Sequence, residues 1–297
     1  MKLYDRGAMA ASKTAQYVAL YRALETDEMR REPLFRDPLA GAFLSRRLSV
    51  ALKLARSRPL RSVLERFADW RAPGARSSAI GRTRYIDDVV RRTVADGTAQ
   101  LVVLGAGFDC RAHRMPELSK VHVFEVDRPE TQAVKRGRVA ARPETARGDV
   151  TYVAVNFERD DLVTSLKGAG WRTEDRTLFI WEGVTNYLTE TAVAAVLEMV
   201  GRCARGSRIV FTYIHRGVVD GTSKFDGADK LVSNVKRLGE PWTFGILPGE
   251  IERFLAGFGI VLEDDLGADA YRAKYLGPGE TGLTGYAFYR IAVGRVG

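Results

Sequence analysis

Histidine and cysteine are scarce in this chain, with three of one and two of the other among 297 residues. Cys110 and Cys203 lie far apart and form no Cys-x-x-Cys pair. That disfavours both a disulfide scaffold and a cysteine-based zinc site. His113, His122 and His215 show neither His-x-x-x-His nor His-Glu-x-x-His spacing, and no metal is expected. No apolar run reaches the roughly 18 residues that a membrane-crossing helix needs. The N-terminal Met1-Lys-Leu-Tyr-Asp5 lacks the apolar core of a secretory signal. A cytoplasmic protein with no membrane partner is the expectation. Internal repeats and low-complexity tracts are missing too.

Charge is plentiful, with a net value of +9. This suits an arginine-rich solvated surface, or attraction to an anionic small molecule or acidic partner. A nucleic-acid interface needs clustered bases with aromatic platforms or a known motif. The basic residues are instead spread along the chain, so nucleic acid is not an expected partner.

Residues 1–95 read as a helical N-terminal cap, and 96–297 as the core. Thr14 to Leu24 places apolar residues on one helical face. Pro33 and Pro38 bracket a break, and a helix follows from Leu39 to Arg47. Val50 to Trp70 is amphipathic and carries Arg56, Arg58, Arg61 and Arg66. It suits a solvated helix face, or a cap that meets an anionic substrate. Ser77 to Val94 is a further helix after the turn at Ala72-Pro-Gly-Ala75.

From residue 100 the pattern alternates. Strands are predicted at 100–104, 121–126, 151–155, 177–181 and 207–213, and helices at about 130–141, 160–169 and 189–204. Such alternation argues a parallel sheet covered by helices on both faces. Pro248 to Gly257 reads as a helix, and Ile260–Leu262 and Tyr286–Val293 as a closing strand pair, one of them antiparallel. The fold class is therefore α/β, a Rossmann-like sheet of seven mostly parallel strands. Residues 216–247 interrupt it as an inserted lid over the substrate pocket.

The chemistry collects at the strands' carboxyl ends. The first strand runs into Gly105-Ala106-Gly107, where backbone can approach a nucleotide-like cofactor. A dinucleotide fingerprint wants Gly or Ala at position 110, and Cys110 stands there. A cofactor without a pyrophosphate fits better than NAD. Glu125 and Asp127 follow some 20 residues on, where a carboxylate can hold a ribose diol; either acid could serve. Asn156 and Phe157 end the third strand, where an adenine would lie. Glu182 tops an apolar strand, where an acid is costly unless used. Trp181 and Tyr187 could line a pocket or pack the core. Thr189 is the expected N-cap of the next helix. His215 is the one candidate base, and Tyr213 beside it could orient a substrate. Phe225, Trp242 and Phe244 in the lid suit an aromatic or apolar acceptor.

Together these residues resemble a class I S-adenosylmethionine-dependent methyltransferase. More narrowly, the chain resembles the leucine carboxyl methyltransferase superfamily. The carriers are Arg22-Ala-Leu-Glu25, Phe35-Arg-Asp-Pro38, Arg82-Thr-Arg84 with Asp87, Leu104-Gly-Ala-Gly-Phe-Asp109 with Arg111, Glu125-Val-Asp127 and Glu182-Gly-Val-Thr-Asn-Tyr-Leu188. Gly239-Glu-Pro-Trp-Thr-Phe-Gly245 is similar to the tetracenomycin-type branch of polyketide carboxyl O-methyltransferases. The resemblance implies S-adenosyl-L-methionine as cofactor and S-adenosyl-L-homocysteine as product. It implies that Arg82 meets the methionine carboxylate, Gly105 the cofactor through its backbone, and Asp127 the ribose. Asn156-Phe157 stands where the family commonly has Asp-Leu, which keeps an acceptor but loses a charge. Glu182 would lie near the amino end or the transfer site, and Arg22 near a basic position of the N-terminal helix. The implied reaction is O-methylation of a small acidic or aromatic acceptor, most simply a carboxylate. Hydroxyl methylation, methylation of a protein's terminal carboxylate and a non-catalytic cofactor-binding subunit are the alternatives. A monomer or a homodimer is expected.

Overall fold

A computed structural model of the chain describes residues 13–26, 32–145, 148–157, 159–237, 239–276 and 285–297. The N-terminal Met1–Asp5 and the Arg58 side chain lie outside what is described. In chain order the elements are α1 (Lys13–Thr26), α2 (Arg46–Leu54), α3 (Arg58–Arg71), α4 (Ala75–Ala95), β1 (Gln100–Leu104), α5 (Arg111–Arg114), β2 (His122–Asp127), α6 (Pro129–Ala140), β3 (Val150–Ala154), α7 (Leu162–Gly168), β4 (Thr177–Trp181), α8 (Glu190–Gly201), β5 (Arg208–Ile214), α9 (Arg216–Val219), α10 (Ala228–Arg237), α11 (Ile251–Ala256), β6 (Ile260–Leu266), α12 (Ala268–Tyr275) and β7 (Tyr289–Val296).

The strands form one sheet in the order β3-β2-β1-β4-β5-β7-β6. β1 to β5 run parallel, and β7 is antiparallel to both its neighbours. The period of two sorts each strand's residues between the sheet's two faces. On one face Val102, Leu104, Phe124, Phe179 and Phe211 pack with Leu166 of α7, Leu197 of α8 and Leu255 of α11. On the other, Leu101, Val103, Val123, Ile180 and Val210 pack with Tyr85, Ile86, Val89 and Val90 of α4 and Tyr271 of α12. α4 is thus a layer of the sheet, and the helices before it form the cap. The cap's own core is Ala19, Leu20 and Leu24 of α1 with Leu39 and Phe43. It meets the sheet through Phe108 and Cys110, just beyond the glycine turn.

Thr189 caps α8 as expected, its hydroxyl accepting from the Ala192 amide at 3.2 Å. The stretch from Val50 to Trp70 is two helices, interrupted around Arg56-Ser57 and restarted by Pro59 near the first position of α3. The sixth strand runs four residues beyond the expected Ile260–Leu262. Its extra residues include three consecutive acids. Glu263 pairs with Arg208 and Arg295, Asp264 accepts from the Tyr85 hydroxyl, and Asp265 pairs with Arg290. Side-chain partners therefore support an edge strand that β-propensity disfavours. No helix among the described residues is long and apolar enough to cross a membrane.

Candidate functional site

The chain leaves β1 through a left-handed turn, with Gly105 at φ +66° and Gly107 at φ +46°. The Ala106 amide donates to the Val126 carbonyl at 2.9 Å, so the turn is bonded to β2. A Cβ on Gly105 would stand 2.5 Å from Val184, in the loop after β4, whereas one on Gly107 would meet nothing closer than 3.9 Å. Gly105 thus permits close packing of two loops, and Gly107 leaves room for a ligand.

Asp127, at the end of β2, grips the same turn. Its Oδ2 accepts from the Gly107 amide at 2.5 Å, and Oδ1 from the Arg128 amide at 2.7 Å. Burial pushes this carboxyl above the ordinary aspartate range, although the two amides work against that shift. Glu125, two residues earlier, is buried and paired with the equally buried Lys135 of α6 at 2.5 Å. Of the two acids weighed for the ribose, Glu125 is already committed to Lys135, and Asp127 alone borders the turn. Asn156 follows β3 and is half-buried, its amide donating to Asp160 at 2.7 Å. Phe157 packs partly on the main core.

Beside the turn lies a cleft lined by Arg22, Thr83, Asp109, Cys110, Arg111, Arg114 and Glu182. Three guanidinium groups and two carboxylates line it, and Arg82, Asp37 and Asp87 behind them extend the alternation of charge. Arg82 of α4 donates to Glu182 at 2.6 Å, and Arg111 donates to the other Glu182 oxygen at 2.9 Å. Arg111 also bonds Asp87 at 2.8 Å and Asp109, and Arg114 holds Asp87 by two bonds of 2.7 Å each. Arg22 of α1 reaches Asp37 at 2.8 Å and the Phe108 carbonyl at 2.5 Å. The Arg82-Asp87 and Phe35-Pro38 segments therefore meet at one place, brought there by α4 and the cap. Burial alone would raise the Glu182 and Asp109 carboxyls. The arginines reverse this, holding Glu182 below its ordinary range and Asp109 at about 2. Burial keeps the Cys110 thiol protonated, well above its ordinary value.

An aromatic group adjoins the cleft. The Arg82 guanidinium lies over the Tyr289 ring, 5.1 Å from its centroid. Tyr286, Phe288 and Tyr289, at and just before the start of β7, pack with Phe225 and Trp242 of the 216–247 insertion. The insertion is pinned by Thr243, whose amide donates to the Asn186 carbonyl and whose hydroxyl donates to the Leu188 carbonyl, each at 2.8 Å. Tyr187 is half-buried beside these contacts, and burial pushes its hydroxyl up to about 12. Phe244 turns the other way, into the main core.

Two of the expected transfer-site residues are otherwise engaged. Tyr213 is fully buried, its hydroxyl bonded to both Asp265 oxygens at 3.0 Å and accepting from Arg290 at 3.1 Å. It ties β5 to β6 and β7 and offers no surface to an acceptor. His215 is the N-cap of α9, with Nδ1 accepting from the Gly217 amide at 3.1 Å. The neutral ring then carries its proton on Nε2 and is a donor there. Burial and Arg290 both lower its pKa, so the neutral form is favoured. The sequence reading missed Tyr286, Phe288 and Tyr289, and it gave no roles to Asp87, Asp109 and Arg114. Tyr286 and Phe288 lie in the turn before β7 and only Tyr289 opens the strand, whereas the sequence pattern reads as a core strand from Tyr286 onward. Apart from Asp109–Arg111, the ion pairs of the cleft join residues 15 to 100 positions apart, which no local pattern reveals.

Comparison with known proteins shows the family and the fold. The leucine carboxyl methyltransferase family model matches residues 15–201. A provisionally named S-adenosyl-L-methionine-dependent methyltransferase of Frankia alni is 38% identical over 208 residues, covering 70% of each chain. A protein of the same designation from Streptomyces coelicolor is 36% identical over the same share. The crystal structure of a provisionally named methyltransferase from Thermobifida fusca shares the fold, with a TM-score of 0.60 over 94% of each chain at 19% identity. The chain belongs to the leucine carboxyl methyltransferase family and is an S-adenosyl-L-methionine-dependent methyltransferase.

Proposed function

We propose that this protein methylates a carboxylate oxygen of a small natural-product acid, forming a methyl ester. The acceptor class is that of the tetracenomycin-type enzymes, similar at Gly239–Gly245. The residues around the glycine turn suit S-adenosyl-L-methionine. Gly107 leaves space over the backbone, and the neighbouring cleft alternates both signs of charge, as a zwitterionic amino-acid end requires. Arg82 would take the methionine carboxylate and Glu182 the ammonium. Asp127 would take the ribose hydroxyls, and Asn156 with Phe157 the adenine. When bound, the cofactor supplies a methyl carbon made electrophilic by its sulfonium sulfur.

The protein's own work is then to align an acceptor oxygen and exclude water. A carboxylate is ionised at pH 7 and needs no base, whereas a phenol or alcohol does. The observation that supports the choice is that neither the described residues lining the cleft nor His215, whose ring lies 5.0 Å from Phe225 in the aromatic group, offers a free base. Asp109 and Glu182 have lowered pKa values, Cys110 is held as a thiol, and the other lining residues are arginines and a threonine. His215 has its Nδ1 lone pair engaged by a backbone amide. Phe225, Trp242 and Tyr289 give an apolar acceptor body a place to stack, with Arg82 at the boundary.

The test is methyl transfer from isotopically labelled cofactor to matched panels of aromatic carboxylic acids, phenols and peptides. The expected product is an alkali-labile methyl ester of a small acid. An alkali-stable ether on a phenol would overturn the carboxylate assignment.

A further inference from the structure

We infer that the outward face of α2 and α3 docks this protein on an anionic lipid surface. The inference is independent of which acceptor is methylated. α3 is turned inside out relative to an ordinary surface helix. Leu60, Val63, Phe67 and Trp70 follow one another at three- and four-residue steps, which puts them on a single face. That face points to solvent, with the four residues 47%, 64%, 56% and 70% exposed. The opposite face carries the charge. Arg61 is buried and pairs with Glu65 at 2.9 Å, while Asp69 accepts from buried Arg76 at 2.7 Å. A soluble helix normally buries its apolar stripe and solvates its charges. Here the ion pairs, with Leu64 packed on the cap core, hold the helix so that its larger apolar stripe faces outward.

The preceding helix extends the patch. Val50 and Leu54 of α2 are half-exposed or more, while Leu48 and Leu52 pack inward on the cap. Trp70 ends the patch, with the Lys230 ammonium of α10 5.5 Å from its ring centroid. An exposed apolar patch of this kind marks an interaction site.

Charge decides the occupant. Arg46, Arg47, Lys53, Arg56 and Arg66 are exposed among these apolar residues, and no exposed acid lies between residues 45 and 70. The two acids there, Glu65 and Asp69, are the ones already paired inward. A second copy in a two-fold contact would set this basic patch against itself. A nucleic acid would match the charge but leave Leu60 and Val63 without a role. An anionic bilayer surface answers both features, taking aromatic and aliphatic side chains between headgroups that neutralise the flanking bases. A helix lying in the surface needs no membrane-crossing length.

The test is co-sedimentation of the whole chain with phosphatidylcholine vesicles, with and without phosphatidylglycerol, while Trp70 emission is followed. The expected result is pelleting only with phosphatidylglycerol, weakened about tenfold or more between about 0.1 M and about 0.5 M salt. A blue shift should accompany it and vanish in Trp70→Phe. Joint replacement Val63→Ser, Phe67→Ser and Trp70→Ser should lower partitioning by roughly tenfold or more, with the thermal transition unchanged because these side chains are exposed. Arg56→Gln with Arg66→Gln should weaken binding and flatten its salt dependence. Failure to pellet at any phosphatidylglycerol content overturns the inference. So does pelleting that the apolar triple replacement leaves intact. A concentration-dependent dimer that Phe67→Ser dissolves, with no vesicle binding, would assign the face to a second copy instead.

Discussion

Arg111→Met tests whether the charge network holds the site together. Arg111 is buried and contacts three carboxylates, Asp87, Asp109 and Glu182. The replacement keeps most of the side-chain volume and removes the charge. Its cost depends on what each carboxylate has left. Asp87 retains two bonds of 2.7 Å from Arg114, and Glu182 retains Arg82 at 2.6 Å. Among the described residues, the one hydrogen bond left to Asp109 is that from the backbone amide of residue 111, at 2.7 Å. One carboxylate is therefore stranded rather than three. The expected loss is about 3 kcal/mol, the lower end for breaking a buried pair. At about 2 °C per kcal/mol for a chain of this size, the melting temperature should fall by roughly 6 °C. Acid provides a second readout. Asp109 has its pKa depressed to about 2 in the folded chain, so its contribution is full above the unfolded value of about 3.9. That contribution disappears as pH falls from there toward the folded value. The stability gap between parent and variant should narrow across that window in calorimetry or urea titration. A loss below about 1 kcal/mol at neutral pH, or a gap indifferent to acid, would refute the reasoning.

Asp127→Ala removes the acceptor for the Gly107 amide and for a ribose; cofactor affinity should fall by about 1–3 kcal/mol in calorimetry. Unchanged affinity would remove Asp127 from the cofactor site. Gly105→Ala should destabilise by about 1–3 kcal/mol, because φ is +66° and the new methyl would press on Val184. Adding Val184→Ala should restore only the packing part, which urea titration of the single and double variants can separate. His215→Ala should cost about 1 kcal/mol of stability as a lost helix cap. Its turnover should stay within about tenfold of the parent, whereas a drop of about a thousandfold would identify His215 as a base.

Much of the fold was legible because it rests on local pattern. Uninterrupted apolar runs such as Leu101–Leu104 and Leu178–Trp181 announce buried parallel strands, and their spacing announces the helices between. The glycine turn and the acid that grips it were legible for a related reason, since both lie at strand ends fixed by that pattern. Less legible were features that depend on distant partners. The last residues of β6 look like a polar loop until Arg208, Arg290 and Arg295 stand opposite them. Tyr213 and His215 look like site residues from their place at a strand end. Their environments differ only through Asp265, Arg290 and the Gly217 amide. The outward apolar face of α3 was hidden for the same reason. Periodicity identifies a stripe but not which way it points, and Asp69 paired with Arg76 fixes that.

Titration calorimetry of one preparation with S-adenosyl-L-methionine, S-adenosyl-L-homocysteine and NAD tests the central claim most directly. The expected result is saturable one-to-one binding of the first two, with loss of affinity in Arg82→Ala, and no heat from NAD. Binding of NAD without binding of S-adenosyl-L-methionine would contradict the assignment of the glycine turn and the arginine–carboxylate cleft to methyl transfer.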